Sequence, residues 1–309
     1  MNRLAGIIVA AAGFVIAVLG ALKFVPGISV GGVMLIVFGG LVIGFSFIKG
    51  PDAEGVERMS TVSTLGNMFI SPGEVFKNLR RHPRWLVALL IMSALSATYG
   101  NLFVQRLGAD RIGNFTIDKT LEMSFIANND EAKKKIEEGR RQGIADLASP
   151  SARTGQALAG FGASFLLYSI LALVFFLFAL AMGGNLNFIQ AISIVIYAGF
   201  PVAVIRFILN TTVLFLKDPT DIHPILGQQT LIQDNLNFLV LASEHPVIFT
   251  LLGSLSLLMF YWLWMLATGL KNGGEKVSGT IAWSATLAVY GFLIFLGVVS
   301  AALFPGFIS

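Results

Sequence analysis

The chain contains no cysteine, so disulfides, thiolate nucleophiles, thiolate metal sites and thiol redox chemistry are excluded together. Charge is scarce: 12% of the 309 residues are Asp, Glu, Lys or Arg, against 55% hydrophobic. At a mean hydropathy of +0.79 there are too few polar groups to cover a soluble globule, and the chain reads as an all-α integral membrane protein. Acidic residues are missing from every long apolar run, which leaves no intramembrane carboxylate to couple proton or sodium movement. Neither Gly183-Gly184 nor Gly273-Gly274 has the spacing of a phosphate loop followed by Lys-Ser/Thr. Serine nucleophile elbows and paired catalytic carboxylates are also missing, so neither enzymatic activity nor a cofactor is expected. The net charge of +4, from 21 Lys and Arg against 17 Asp and Glu, is spread over short loops. A nucleic-acid partner would need those cations gathered on one face.

What the chain does have is concentrated in residues 70–99, where a basic, half-apolar segment runs directly into a bilayer-length apolar one. Ser71 as N-cap, Pro72 at the first helical position and Glu74 three residues after the cap predict a capping box, with Ile70 and Val75 as its hydrophobic staple. Val75, Phe76 and Leu79 then recur at helical spacing, while Lys77, Arg80, Arg81 and Arg84 fill the other face. A helix of this kind lies on an anionic membrane surface and can contact lipid or a partner protein. As a bland alternative, the same cations serve only as a topological anchor. Pro83 ends the helix, Trp85 is placed for the headgroup level, and residues 86–104 enter the hydrocarbon.

In chain order, residues 4–22 and 29–48 form two apolar runs, each near the roughly 20 residues a spanning helix needs. The first is long for a signal peptide and no clear small-x-small cleavage site precedes a soluble domain, so it is expected to be retained; cleavage would leave the later orientation unchanged. Gly40 and Gly44 give the second run a small-xxx-small packing face. The polar segment 49–84 carries Lys49, Arg58 and the four cations of the basic helix against Asp52, Glu54, Glu57 and Glu74, and its basic excess marks the inner side. Val62, Leu65, Met68 and Phe69 add a short amphipathic turn before Ser71.

Further spans follow at 86–104, 157–182, 188–216, 247–270 and 278–304. That makes about seven spans, with the N-terminus inside and the C-terminus, at Pro305-Gly306, outside, in what is expected to be a bacterial cytoplasmic membrane. The outer loop 105–154 is rich in both signs, with helix expected over 117–127 and 130–147. Its Lys and Arg argue for the inner side, but its length and near-balance weaken that signal. The second outer loop, 217–246, is acidic, and a short interfacial helix is expected over 231–241. The resulting organisation is a membrane hairpin in 1–48, a linker with the basic helix in 49–84 and a membrane domain in 85–305.

Arg206 is the one formal charge inside an expected span, and a charge at membrane depth points to function by default. Asn210, Thr211 and Thr212 lie about a turn away on a helix kinked or tilted at Pro201, so an anion path could run there. Equally, Arg206 could satisfy carbonyls opened by Pro201 or snorkel to the interface. His223 and His245 share a loop with Asp221 and Glu244, but they are scattered, and no metal site is expected.

Three segments together resemble the Yip-type domain, the family of Ypt/Rab-interacting multispanning proteins, in its bacterial branch. They are Phe69-Ile70-Ser71-Pro72-Gly73-Glu74-Val75-Phe76 running on to Arg80, Pro83, Arg84 and Trp85; Asp218-Pro219 with Pro224 and Leu226-Gly227; and residues 252–256 leading through Phe260, Trp262 and Leu266 to Gly269-Leu270. The resemblance covers roughly residues 65–305 and implies a five-helix bundle, here preceded by two extra spans. Where many bacterial members read Ser-Leu-Asp, this chain has Ser254-Leu255-Ser256, so any role of that carboxylate is absent or replaced. Eukaryotic members are tied to vesicle traffic and Rab GTPases; for this chain the resemblance implies a fold and no reaction. The function expected is a non-enzymatic scaffold organising lipids, other membrane proteins or copies of itself. The alternative is a permease, channel or exporter subunit with an anion path near Arg206.

Overall fold

A computed structural model describes residues 3–48 and 57–303. Lys49, Asp52, Glu54 and the expected outer terminus at Pro305-Gly306 lie outside the described residues. Everything described is helix or loop, apart from one isolated antiparallel bridge between Asn185 and Glu275. The helices are α1 (Arg3–Ala21), α2 (Ser29–Phe45), α3 (Thr61–Ile70), α4 (Pro72–Arg81), α5 (Leu86–Leu107), α6 (Ala109–Glu122), α7 (Ser124–Ala127) and α8 (Asp130–Ala148). After them come α9 (Pro150–Ala181), α10 (Phe188–Leu216), α11 (Leu226–Gln229), α12 (Pro246–Ser254), α13 (Leu257–Gly273) and α14 (Gly279–Leu303).

Among the described residues five helices, α1, α5, α9, α10 and α14, are long and apolar enough to cross a membrane. Large apolar side chains such as Phe14, Leu167 and Phe292 stand exposed on them, as lipid-facing positions do. The chain is therefore an all-α integral membrane protein. The second apolar run gives a helix of 17 residues, at the short end of what spans. The expected span 247–270 is not one helix: α12 and α13 meet at a 51° bend. The cause is local. Ser254 turns its hydroxyl back on Leu251 O at 2.6 Å, and the N–H of Leu257 donates to Asp234 O at 3.1 Å instead of continuing the helix ladder.

The chain divides into two compact units. The first comprises Met1–Ala94, Gly155–Val204 and Leu258–Phe292. In it, α1 and α2 form an antiparallel hairpin joined through Lys23 and Gly27, both at positive φ. The close approach is made by Gly6, Gly13, Gly32 and Gly39: a Cβ at Gly39 would fall 2.6 Å from Ala10 N, and one at Gly13 would fall 2.7 Å from Gly32 O. Gly40 and Gly44, expected to be the packing face, have nothing within 4 Å. Helix rotation decides this, because Gly39 and Gly32 are two turns apart on one stripe that Gly40 and Gly44 do not share. The hairpin also packs on α9, where Gly155 and Gly162 lie against Gly27 and Met34.

The core of this unit holds Phe76, Leu89, Phe165, Phe175, Ile194 and Tyr197, all almost fully buried. Trp85 belongs to it as well. It is 5% exposed and stacks on Phe165 at 4.7 Å, so it anchors the bundle and does not face headgroups.

The second unit comprises Leu95–Thr154, Ile205–Leu257 and Leu293–Ser309. Its centre is Phe103, Ile112, Leu214 and Ile222. Asn129 caps α8 by accepting from Ala132 N at 3.0 Å, and Arg140 ties α8 to α6 through Asp118 at 2.7 Å. Loop 217–246 is held by side chains from elsewhere in the unit. Arg111 donates to Pro219 O and, at 3.0 Å, to Thr220 O and Ile222 O, while Tyr99 Oη donates to Gly227 O at 2.6 Å. The interfacial helix expected over 231–241 shrinks to a single 3-10 turn at Asn237–Leu239. Its N–H groups are already engaged: Leu231 N donates to Asn210 Oδ1 at 2.8 Å and Leu236 N to Leu252 O at 3.3 Å.

The glycine stripe makes a direct prediction. Gly39→Ala should lower the detergent melting temperature, by an overpacking cost of roughly 1–3 kcal/mol, whereas Gly44→Ala should leave it level or raise it slightly. Equal effects of the two substitutions would show that the hairpin does not pack along Gly6, Gly13, Gly32 and Gly39.

Candidate functional site

The basic helix α4 forms as its sequence period demands: Val75, Phe76 and Leu79 are buried to within 1% and its cations lie on the other side. Its start differs from expectation. Ser71 makes no side-chain cap, because α3 delivers the chain to it with φ −140° and ψ 60° and its N–H already donates to Asn67 O. Glu74 pairs with Lys77 at 2.7 Å instead of closing a capping box. Ile70 is 80% exposed, so no staple with buried Val75 forms.

What holds α4 in place is on its inner side. Phe76 enters a groove on α13 that Gly269 opens; a Cβ there would meet Ile194 at 2.6 Å and Phe76 at 3.0 Å. Below it, Gln190 of α10 donates to Arg80 O at 2.7 Å and accepts from Asn187 N at 2.7 Å. Arg80 reaches Glu275 at 2.8 Å, and Arg81 approaches the same carboxylate at 3.8 Å. Glu275 is itself fixed by two backbone hydrogen bonds of 2.6 Å with Asn185. The turn before Asn185 needs Gly183 at φ +80°. Two turns and α4 thus meet at Glu275. Hydrogen bonding from Arg80, then the charges of Arg80 and Arg81, hold the Glu275 carboxyl below its usual range.

Arg84 faces another way. Its Nη2 donates to buried Thr64 Oγ1, while its Nε is buried without a hydrogen-bond partner. Arg58 comes beside it, because the amide of buried Asn78 accepts from Met59 N at 3.2 Å and donates to Glu57 O at 2.8 Å, pinning the backbone on both sides. Burial, opposed in part by Tyr197 and reinforced by Arg58, lowers the Arg84 guanidinium from its ordinary pKa. The four cations expected to act together therefore split. Lys77, Arg80 and Arg81 are partly neutralised by Glu74 and Glu275, whereas Arg84 joins Arg58. Nothing in the sequence pairs Arg58 with Arg84, and Asn78 reads there only as a polar residue on a polar helix.

The residues expected to form an intramembrane polar site are on α10, which runs unbroken through buried Pro201. Arg206 is half-buried and its Nε is buried without a hydrogen-bond partner. Asn210, one turn on, is 3% exposed and its Oδ1 accepts from Leu231 N and, at 3.3 Å, from Ile232 N. It serves as a loop anchor. Thr211 lies roughly 140° around the helix from Arg206, and its Oγ1 is also buried without a partner. Thr212 donates to Ile208 O at 2.9 Å.

His223 Nδ1 accepts from Ile225 N and Leu226 N at 3.2 and 3.1 Å, so that nitrogen is occupied. Burial, with Lys119 and Arg111 nearby, lowers its pKa. Among the described residues no group of three or more metal-ligating side chains converges. At the α12–α13 bend, the hydroxyl of buried Ser256 donates to Asp234 Oδ2.

No curated protein sequence and no solved structure matches the chain. One family model does, described as the Yip1 domain, over residues 66–302. The match begins inside α3, takes in the basic helix, Glu275 and the bent pair, and leaves α1 and α2 outside. With that model spanning more than half of the chain, this multispanning membrane protein belongs to the Yip1-domain family.

Proposed function

We propose that the protein is a non-enzymatic membrane scaffold, with α4 as a rigid basic platform on the inner side of a bacterial cytoplasmic membrane, the N-terminus inside and the C-terminus outside. One observation carries this reading. The apolar face of α4 is locked between Gly269, Ile194 and the Glu275 junction, while Lys77, Arg80 and Arg81 keep 59%, 32% and 37% of their side chains exposed. A helix held this firmly presents its cations in one fixed arrangement, as recognition of an anionic partner surface requires. A membrane anchor alone needs only the charges.

A second reading, a permease or channel subunit, is supported by the Nε of Arg206 buried without a partner at membrane depth. On that reading the arginine draws an anion along α10.

Three outcomes follow. Changing Lys77, Arg80 and Arg81 together to Glu should abolish photo-crosslinks made from α4 in native membranes; an unchanged crosslink pattern would count against the platform. Glu275→Gln should raise amide exchange in α4 several-fold, since an exposed pair of this kind contributes up to about 1 kcal/mol. In the wild type the same loosening should come with acid: the Glu275 pKa is depressed, so its contribution is present above the ordinary carboxylate range and lost as pH falls through the lowered value. Exchange in α4 that is indifferent to both would show that Glu275 does not hold the helix. For the second reading, vesicles containing the protein should show anion flux that Arg206→Leu removes. An absence of flux in the wild type rules it out.

A further inference from the structure

A cleft of about 670 Å³ opens in the first unit between the α1–α2 hairpin, the start of α5 and α10. Its volume is within the ~300–1,000 Å³ of ligand sites. Its depth is apolar, formed by Val9 and Val42 of the hairpin with Phe45, Trp85 and Ile189. Its polar end is lined by Arg58, Arg81 and Arg84, with Thr61 and Tyr197 beside them, and among the described residues that line it there is no carboxylate.

That distribution is costly unless something fills it. Burial disfavours the charge of Arg84, and the Arg58 guanidinium beside it disfavours that charge further. The Nε of Arg84 lacks an acceptor. A ligand that relieves all of this carries an anionic group with several acceptor oxygens joined directly to an apolar tail. Guanidinium forks suit phosphate oxygens in particular. The bilayer supplies such a molecule. Leu86 and Val87, at the rim of the cleft, are 44% and 43% exposed, so a tail can leave sideways into lipid.

We propose that this cleft holds one anionic phospholipid, its phosphate between Arg58, Arg81 and Arg84 and the upper part of its acyl chains against Val9, Val42 and Ile189. The lipid would join the hairpin, which lies outside the family match, to the Yip1 domain. This deepens the scaffold reading by naming a lipid ligand; it shares Arg81 with the platform, but the test variants at Arg58, Arg84 and Val42 leave the platform's cations in place, so the α4 crosslinks and lipid retention can fail independently.

The test uses the full chain, stripped of lipid in detergent and titrated by native mass spectrometry. Its three arms are dioleoyl phosphatidylglycerol, dioleoyl phosphatidylcholine and inorganic phosphate. One phosphatidylglycerol should be retained, preferred over phosphatidylcholine by on the order of 30-fold or more, as two or three arginines at an anionic headgroup provide. Inorganic phosphate at equal concentration should not be retained. The double variant Arg58→Gln with Arg84→Gln should lose the preference, and Val42→Trp, which keeps the arginines and fills the apolar end, should weaken retention of both lipids. Lys134→Gln, on the exposed surface of α8, should change nothing. Equal retention of the two lipids by the wild type, a preference surviving in the double variant, or phosphate binding as well as the lipid would each overturn the proposal.

Discussion

The junction at Glu275 is the contact on which the first unit depends. In a bundle whose helices are apolar on nearly every side, burial alone does not decide where a short polar helix should sit, because lipid accepts the same apolar surface. Direction must come from a few polar contacts and from shape. Glu275 supplies the polar part by joining the α9–α10 turn, the α13–α14 turn and α4 through Asn185, Arg80 and Arg81. Gly269 supplies the shape by letting Phe76 and Ile194 approach the backbone of α13.

Fixing α4 has a second consequence, which concerns charge. Once Arg80 is committed to Glu275, the helix cannot rotate, and Asn78 is left facing the preceding segment, where it grips the backbone around Arg58. Arg58 and Arg84 are then neighbours with no described carboxylate to share. The same constraint that builds an outward basic platform therefore builds an inward basic cleft, and scaffold and lipid site are two faces of one helix position. In the second unit the logic is similar but the cations act on backbone: Arg111 collects carbonyls of residues 219–222 and Asn210 collects N–H groups of 231 and 232. The loop is thereby fixed as a 3-10 turn at Pro219–Asp221 and as non-helical backbone at 231 and 232.

The readings that failed share a cause. The capping box at Ser71, the helix over 231–241 and an unbroken helix through 247–270 each rest on local pattern, and each is displaced by a hydrogen bond from a residue distant in sequence or by the preceding helix. Asn67, Asn210, Leu252 and Asp234 took the backbone groups that the local pattern assigned elsewhere. Gly40 and Gly44 failed differently: glycines one, four and seven apart offer several stripes, and only the partner helix selects one. Trp85 has the composition of an interfacial anchor, and Phe165 and Phe38 make it a core residue.

By itself the sequence determined the solvent, the secondary structure of the long segments and the family, because bilayer-length apolar runs and the 3.6-residue period are local properties that lipid enforces without reference to the rest of the chain. It also determined which face of α4 is basic. Only the tertiary structure decided which cation meets which carboxylate, which glycines touch, and that Arg58 belongs with Arg84. Those pairings join positions far apart in sequence, and their energies arise only when helix rotation and depth are fixed together.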